Sequence, residues 1–432
     1  MKKLEEDMNN WNGNFPPKTF ADGTCLLIGT LGNVGVVDTV DGLVVFDIGG
    51  NGQERYIYRE LRKFSKKPVK YIIYSHGHFD HAFGYAPIIK EIKRKGWGMP
   101  EVIAHENLPR RFEKYRILDK YHTWLNLRQM APKIADKVGD RLLVSAHETL
   151  DPTIILRGNE SSYKFKLGQY TFEIYHDKGE TDDSLWMWLP EKKVLFSGEL
   201  VSNPTFPNAG NPNKVQRYPK QWAIAMDKMI EKNADYLLPG HGQLVEGKDD
   251  VREIISIRAE VMHFIHDEVV KRMNEGKYFE QIYHELLEIR PEKFKNHRFL
   301  SDSYGDYRFV IHCAYRLYHG WYNTGNPTDL FPAKSVDIAN EFITLIDESE
   351  FVNRANKLFD EGKIQLALHL LDVVIKSSEV KSEDTLLNAY ILKEKILSQM
   401  AEEEVNHMAR NAYIYGTIQM RKKIEQLKTK SN

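Results

Sequence analysis

The segment YIIYSHGHFDH, residues 71–81, limits the possible folds of this chain more than any other stretch. Its first four residues are apolar or aromatic, which predicts a strand that is buried on both faces. Three histidines and an aspartate then follow within six positions: His76, His78, Asp80 and His81. In the short loop after a strand, alternate side chains can converge on one point. Neutral imidazoles and a carboxylate suit zinc, iron or manganese better than calcium or magnesium. The segment therefore predicts a metal site at the end of a buried strand.

Two metal ions would need more ligands, and three candidates stand beside other predicted strands. Glu180 lies in a Gly-Glu-Thr turn ahead of SLWMW, and Glu199 follows the apolar run KVLFS behind a glycine that permits close backbone approach. His241 lies between two glycines in LLPGHGQ. Each of the three could instead be an ordinary turn residue, but their shared position at strand ends favours metal ligation. Three neighbours rank lower as ligands and higher as groups that orient them: His176, Asp182 and Asp183.

The pattern along the chain predicts two domains. Residues 20–250 alternate short apolar strands with helices, which is typical of a layered α/β domain. Residues 251–432 carry apolar positions at helical spacing and few strand patterns, which predicts an α-helical domain.

Composition excludes several classes of partner. The 60 basic and 61 acidic residues give a net charge of −1, which argues against a large surface for nucleic acid or an anionic membrane. No apolar run is long enough for a membrane span, and the N-terminus lacks the apolar core of a secretory signal. The two cysteines form no CxxC motif. We therefore expect a cytoplasmic protein that binds neither nucleic acid nor membranes.

The motif HxHxDH, the later acidic and histidine ligands and the late PGHG resemble the metallo-β-lactamase fold. That resemblance implies an αββα sandwich with a dinuclear metal centre. Most members have His and Asp where this chain has Glu180 and Glu199, and this double substitution is similar to the zinc-dependent alkyl sulfatases of the same superfamily. Residues 104–130 and 298–332 resemble their dimerisation domain. The expected fold is therefore an αββα sandwich followed by an all-α dimerisation domain, and a homodimer is implied.

The resemblance also assigns roles to single residues. One metal takes His76, His78 and Glu180, and the other takes Asp80, His81 and His241. Glu199 bridges the two. The resemblance implies two divalent ions, with zinc predicted, that lower the pKa of a shared water to give metal-bound hydroxide. Asp80 and Glu199 are thus the predicted catalytic residues, and the substrate is an alkyl sulfate or a similar anionic ester.

Four further residues are predicted to bind substrate. Lys214 and Arg217 could hold an anionic head group, Arg217 in bidentate fashion, or could be a solvated surface pair. Asn208 either binds substrate or makes a turn. Tyr318, in an aromatic-rich helical stretch, could line the site or lend a proton. Residues 201–222 contain no histidine, so the source of the leaving-group proton stays open.

Other functions fit the same sequence. A lactone, thioester or phosphodiester hydrolase would use the same fold and metal ligands. Some relatives of the fold use iron, which would suit an oxygen-reducing or persulfide-oxidising enzyme. A non-catalytic scaffold that binds a partner through its C-terminal helices would not need the ligands at all. For a sulfate ester, attack of water at sulfur and attack at carbon both remain open.

Overall fold

The computed structural model describes residues 8–9, 12–138 and 149–430, which form two compact units. One unit comprises the described part of residues 2–119 and 144–323, and the other the described part of residues 120–143 and 324–432. Residues 251–323 thus pack with the β-sheets. The boundary between residues 250 and 251 stays a prediction about the sequence domains.

The first unit contains a seven-stranded sheet whose strands follow one another in chain order. Its strands are β1 (Lys18–Phe20), β2 (Cys25–Ile28), β3 (Val34–Thr39), β4 (Gly42–Phe46), β5 (Val69–Ile73), β6 (Glu101–His105) and β7 (Ile154–Leu156). The pairs from β1 to β4 are antiparallel, because short turns join them, and the pairs from β4 to β7 are parallel. The carboxyl ends of β4, β5 and β6 therefore share one edge.

A second sheet of six strands has the order β13-β12-β11-β10-β9-β8. Its strands are β8 (Ser162–Leu167), β9 (Tyr170–His176), β10 (Leu185–Leu189), β11 (Val194–Ser202), β12 (Tyr236–His241) and β13 (Val245–Glu246). All neighbouring pairs are antiparallel except β11 and β12, which are parallel.

The two sheets share an apolar core in which Phe46 of β4 and Phe196 of β11 lie 5.6 Å apart between ring centroids. Ile73 of β5 belongs to this core, whereas Ile72 faces the outer helices, and both are fully buried. The outer face of the first sheet carries α1 (Glu54–Phe64), α2 (Phe79–Ala82), α3 (Ala86–Lys95) and α4 (Leu108–Ile117). The outer face of the second sheet carries α7 (Pro219–Ile230), α8 (Lys248–Asn274), α9 (Phe279–Glu288) and α10 (Tyr307–Arg316). The predicted αββα sandwich and the doubly buried strand are confirmed.

The described part of the second unit is entirely helical, which confirms the predicted all-α domain. Its helices are α5 (Asp119–Met130), α6 (Pro132–Val138), α11 (Ser335–Leu345), α12 (Glu348–Asp360), α13 (Ile364–Lys376), α14 (Glu383–Glu403) and α15 (His407–Lys430). The resemblance of residues 104–130 to the dimerisation domain agrees with the place of α5 in this unit, where Asn411 of α15 donates to the Gln129 carbonyl at 2.8 Å. The sequence did not predict that α6 joins it. No helix in the described ranges is long and apolar enough to cross a membrane.

Candidate metal centre

Four of the predicted ligands lie directly after β5. His76 and His81 are fully buried, Asp80 is buried and His78 is partly exposed. Asp80 and His81 stand on the single turn of α2 and not in an irregular loop. Asp80 Oδ2 nevertheless lies 3.6 Å from His81 Nε2. The one-turn helix thus brings two adjacent side chains to the same point.

The other three ligands come from the second sheet. Glu180 lies in the loop between β9 and β10, and His241 is the last residue of β12. The sequence placed Glu199 after a strand, but it lies inside β11, which continues to Ser202 past a register shift at Gly198. Gly198 has a φ of +52°, and this left-handed residue directly precedes Glu199.

These segments bring three ligand atoms together at one position. His76 Nε2 lies 2.8 Å from His78 Nδ1. Glu180 Oε2 lies 3.4 Å from that Nδ1 atom and 3.7 Å from His76 Nε2. The three residues are buried or nearly so, and their atoms are close enough to share one ion. They are the three that the sequence assigns to one metal.

A second group lies beside the first. His241 Nε2 lies 3.6 Å from Asp80 Oδ2 and 3.4 Å from His81 Nε2. Glu199 Oε2 lies 2.7 Å from His241 Nε2 and 3.3 Å from His81 Nε2. A third possible ligand group, formed by His76, His81 and Glu199, connects the two positions. The seven predicted ligands are therefore all in one cluster, with Glu199 between its two halves.

The ligand atoms of this cluster are better placed to bind cations than to form hydrogen bonds with one another. The Oε2 atom of Glu180 is buried and accepts no hydrogen bond, since the nearest imidazole nitrogens lie 3.4 Å and 3.7 Å away, whereas Glu199 Oε2 lies 2.7 Å from His241 Nε2. Buried carboxylate oxygens are normally paired, so the unpaired Oε2 of Glu180 is unusual. Three carboxylates also share this buried space, including that of Asp80. Cations at the centre would satisfy the oxygens and offset their charge, so the residues fit a metal site.

The protonation of the histidines agrees with such a site. Burial lowers the pKa of His76 and His78 well below the usual range, with neighbouring positive charge adding to the effect. Both rings are therefore neutral at pH 7, which is the form that binds metals. His81 differs: burial opposes its charged form, but the carboxylates of Asp80 and Asp47 raise its pKa well above the usual range. A cation beside Nε2 would oppose that protonation.

Several residues hold the ligands in place. Asp47 follows β4, accepts from the Ser75 backbone N–H at 2.6 Å and lies 2.8 Å from His81 Nδ1. Asp183 accepts from the Gly77 backbone N–H at 2.9 Å, between two of the histidine ligands. Arg111 Nε in turn donates to Asp183 at 3.0 Å. The sequence placed Asp183 among the orienting residues but did not single out Asp47 or Arg111.

Two of the predicted substrate-binding residues lie against Glu180. Asn208 Nδ2 donates to Glu180 Oε1 at 2.9 Å, and the Arg217 guanidinium forms an ion pair with the same oxygen. Arg217 also donates to the Asn208 carbonyl. Both side chains are buried. They therefore fix a ligand carboxylate, and their contact with substrate stays a prediction.

The other two predicted substrate residues are placed differently. Lys214 is half-buried, and burial together with the charge of Arg217 lowers its pKa to about 8. Tyr318 is 58% exposed, and its hydroxyl lies 2.7 Å from His266 Nε2. It lines a cavity of about 380 Å³ whose walls include none of the seven ligands. Its role in substrate binding stays a prediction.

One buried tyrosine near the cluster was missed by the sequence analysis. Burial and the charges of Glu180 and Glu199 raise the pKa of Tyr304 well above its usual range. The segment that carries it is held to the loop after β11, because the Phe206 N–H donates to the Ser301 carbonyl at 2.7 Å. No local motif marks this tyrosine, since its position depends on that loop contact.

Comparison with known proteins agrees with this architecture. Residues 27–241 match the family model of the metallo-beta-lactamase superfamily. Residues 279–423 match a model described as alkyl sulfatase dimerisation. The fold, the ligand cluster and these matches define a metallo-β-lactamase-fold protein.

Within that class, the chain resembles the alkyl sulfatases. A linear primary-alkylsulfatase from Pseudomonas sp. is 26% identical over 413 residues, covering 90% of this chain and 74% of the relative. An (R)-specific secondary-alkylsulfatase from Pseudomonas sp. is 22% identical over 419 residues, covering 90% of this chain and 60% of the relative. The solved structure of the stereoselective inverting sec-alkylsulfatase from Pseudomonas sp. shares the fold, with a TM-score of 0.77 and 19% identity. The match covers 92% of this chain and 64% of that protein. The chain thus spans about three fifths to three quarters of the length of these relatives.

Proposed function

We propose that this protein is a metal-dependent hydrolase that cleaves alkyl sulfates or similar anionic esters. One observation carries the proposal: seven side chains from four separate segments meet in a buried cluster in which Glu180 Oε2 has no hydrogen-bond partner. The curated alkylsulfatase relatives support the choice of a sulfate ester. A hydrolase of lactones, thioesters or phosphodiesters is the alternative, because the same ligands would serve it.

In this proposal, His76, His78 and Glu180 hold one divalent ion, and Asp80, His81 and His241 hold the other. Glu199 contributes to both. Bound cations, with zinc proposed first, supply Lewis acidity that lowers the pKa of water and stabilises negative charge on the leaving oxygen.

The protein's own groups position this chemistry. Asp47 orients the His81 ring, because it lies at Nδ1 and leaves Nε2 facing the cluster. Arg217 neutralises Glu180 and Asn208 donates to it, so this carboxylate has one fixed orientation. Lys214 lies on the same loop and is half-buried, and we propose that its ammonium group meets the anionic head group of the substrate. We propose Asp80 and Glu199 as catalytic residues and Lys214 as a substrate-binding residue.

The proposal extends to assembly and compartment. The alkyl sulfatase dimerisation region at 279–423 supports a homodimer. Both cysteines, Cys25 and Cys313, are buried free thiols. Thiols are the expected state in a reducing compartment such as the cytoplasm.

The test is sulfate release from octyl sulfate, followed by ion chromatography on protein supplied with Zn²⁺. We expect release that a chelator abolishes and that is lost in His76→Ala, which removes a ligand. His369→Ala is the matched control, because His369 is exposed in the second unit and outside the cluster. Chelator-resistant release, or none with any divalent metal, would contradict the proposal. Release of acid from lactones or thioesters instead would favour the alternative.

The lowered pKa of Lys214 predicts a pH dependence of substrate binding. Below pH 8 its ammonium group is charged and attracts the anion, and above about pH 8 the group becomes neutral. KM for octyl sulfate should therefore rise roughly tenfold between pH 7 and pH 10, because a charge-assisted contact is lost. Lys214→Arg should keep KM low over this range, since guanidinium stays protonated. A KM that is flat with pH in the unaltered protein would refute this role of Lys214.

A further inference from the structure

A second polar cavity lies on the loop that joins Asn208 to Arg217. It has a volume of about 250 Å³ and is enclosed by residues 210–216 and by one side of α10. This is smaller than the roughly 300–1,000 Å³ of pockets that enclose a whole organic ligand. The cavity therefore suits the end group of a longer molecule.

The walls of this cavity carry positive charge and no acidic residue. Lys214 and Arg316 carry this charge, and the apolar side chains of Val215 and Phe309 line the cavity beside them. His312 also lines it, but burial and the charge of Arg316 lower its pKa and favour the neutral ring. The guanidinium of Arg316 makes no hydrogen bond or ion pair with the part of the chain that the structure describes. A guanidinium and an ammonium group beside apolar walls match an anion attached to an aliphatic chain.

Contacts between the loop and α10 fix the shape of the cavity. Gly210 has a φ of +79°, and a side chain there would collide with the Phe309 carbonyl oxygen. Gln216 Nε2 donates to the Cys313 carbonyl at 2.9 Å. The loop therefore rests on the helix at both sides of the cavity, and the site is formed before any ligand arrives.

The same loop connects this cavity to the metal cluster. Asn208 and Arg217, which precede and follow the cavity-lining residues, both contact Glu180. The cavity and the metal cluster are thus joined by one loop, and Lys214 is the residue of the cavity wall on which the charges of both Glu180 and Asp80 act.

We propose that this cavity binds a carboxylate at the far end of the substrate, so that the preferred substrate is a sulfate ester of an ω-hydroxy carboxylic acid. This inference rests on the proposed hydrolase function. Arg316 provides the two parallel N–H donors that a carboxylate accepts, and Lys214 lies between this group and the sulfate. Val215 and Phe309 contact the aliphatic chain.

The test compares alkyl sulfates with sulfate esters of ω-hydroxy acids over a series of chain lengths. One chain length should place the sulfate at the metal cluster and the carboxylate at Arg316. For that length, KM should be roughly tenfold lower for the carboxylate-bearing ester than for the plain ester. In Arg316→Gln the ratio of the two KM values should fall to about one, and in Arg316→Glu it should invert. Arg157→Gln, which removes an exposed arginine on the loop after β7, should keep the tenfold ratio.

The outcomes separate this inference from the proposed function. If alkyl sulfates release sulfate but no chain length shows a KM difference, the carboxylate site is wrong and the hydrolase function stands. A difference that survives in Arg316→Gln also rejects the site. If neither series releases sulfate, both proposals fail. Arg316 is exposed, so its replacement should leave folding intact, which a thermal melt of each variant checks.

Discussion

Replacing Glu199 with glutamine is expected to lower sulfate release by more than about 100-fold, since residues that only support metal ligands already account for 10–100-fold. The substitution keeps the size of the side chain but removes one of three buried carboxylate charges. Glu199 Oε2 lies 2.7 Å from His241 Nε2 in one half of the cluster, and Glu199 also forms a possible ligand group with His76 of the other half, so its loss affects both halves. We expect fewer bound cations per chain, measured by elemental analysis after dialysis.

Glu231→Gln is the matched control for this experiment. Glu231 is exposed at the end of α7, and the same change there should alter neither metal content nor turnover. Full activity and unchanged metal content in Glu199→Gln would show that Glu199 is not a ligand. Unchanged metal content with lost activity would instead keep Glu199 in catalysis and remove it from metal binding.

Gly240→Ala should unfold the first unit at a markedly lower temperature. An added Cβ atom would lie 2.6 Å from the carbonyl carbon of Gly198 and 2.8 Å from the backbone nitrogen of Glu199. Both neighbours are backbone atoms of the adjacent parallel strand, so no side-chain rotation can relieve the contact. The strands must separate, at a cost of about 3 kcal/mol, the upper end for overpacking. Glu199 and His241, which flank the contact, should then move apart.

Circular dichroism melts and zinc affinity together check this prediction. We expect Tm to fall by at least about 5 °C and zinc affinity to weaken in Gly240→Ala. Gly98→Ala is the control, because Gly98 has no positive φ and no atom within 4 Å of an added Cβ. A wild-type Tm in Gly240→Ala would mean that β11 and β12 are not packed this closely.

Local patterns in the sequence predicted a layered α/β domain and the seven candidate ligands, and the resemblance to the metallo-β-lactamase fold implied the αββα arrangement. His76, His78, Asp80 and His81 lie within one short segment, and the three remaining candidates each lie beside an apolar strand. Their chemical type and strand-end position can be seen without knowing which strands are neighbours. Prediction from local patterns fails in one detail at Glu199. This residue lies inside β11, after a register shift that the sequence pattern does not predict.

The contacts among the supporting residues could not be predicted in the same way. Arg111 lies on an amphipathic helix, where arginines usually face solvent, and its contact with Asp183 joins segments 72 positions apart. Arg217 and Asn208 had the character of substrate-binding groups, yet both lie against Glu180. The α5 and α6 helices pack with α15, nearly three hundred positions away. Each contact depends on tertiary packing, which local spacing does not encode.

The loop between Asn208 and Arg217 has both of its anchors on the same carboxylate, that of Glu180. Within this loop Pro212, Asn213 and Val215 are exposed, so they can be exchanged while Gly210 and Gln216 hold the loop against α10. Related hydrolases can differ in this loop while keeping the same metal ligands. Protein engineers who wish to retarget the enzyme should randomise these three positions before any others.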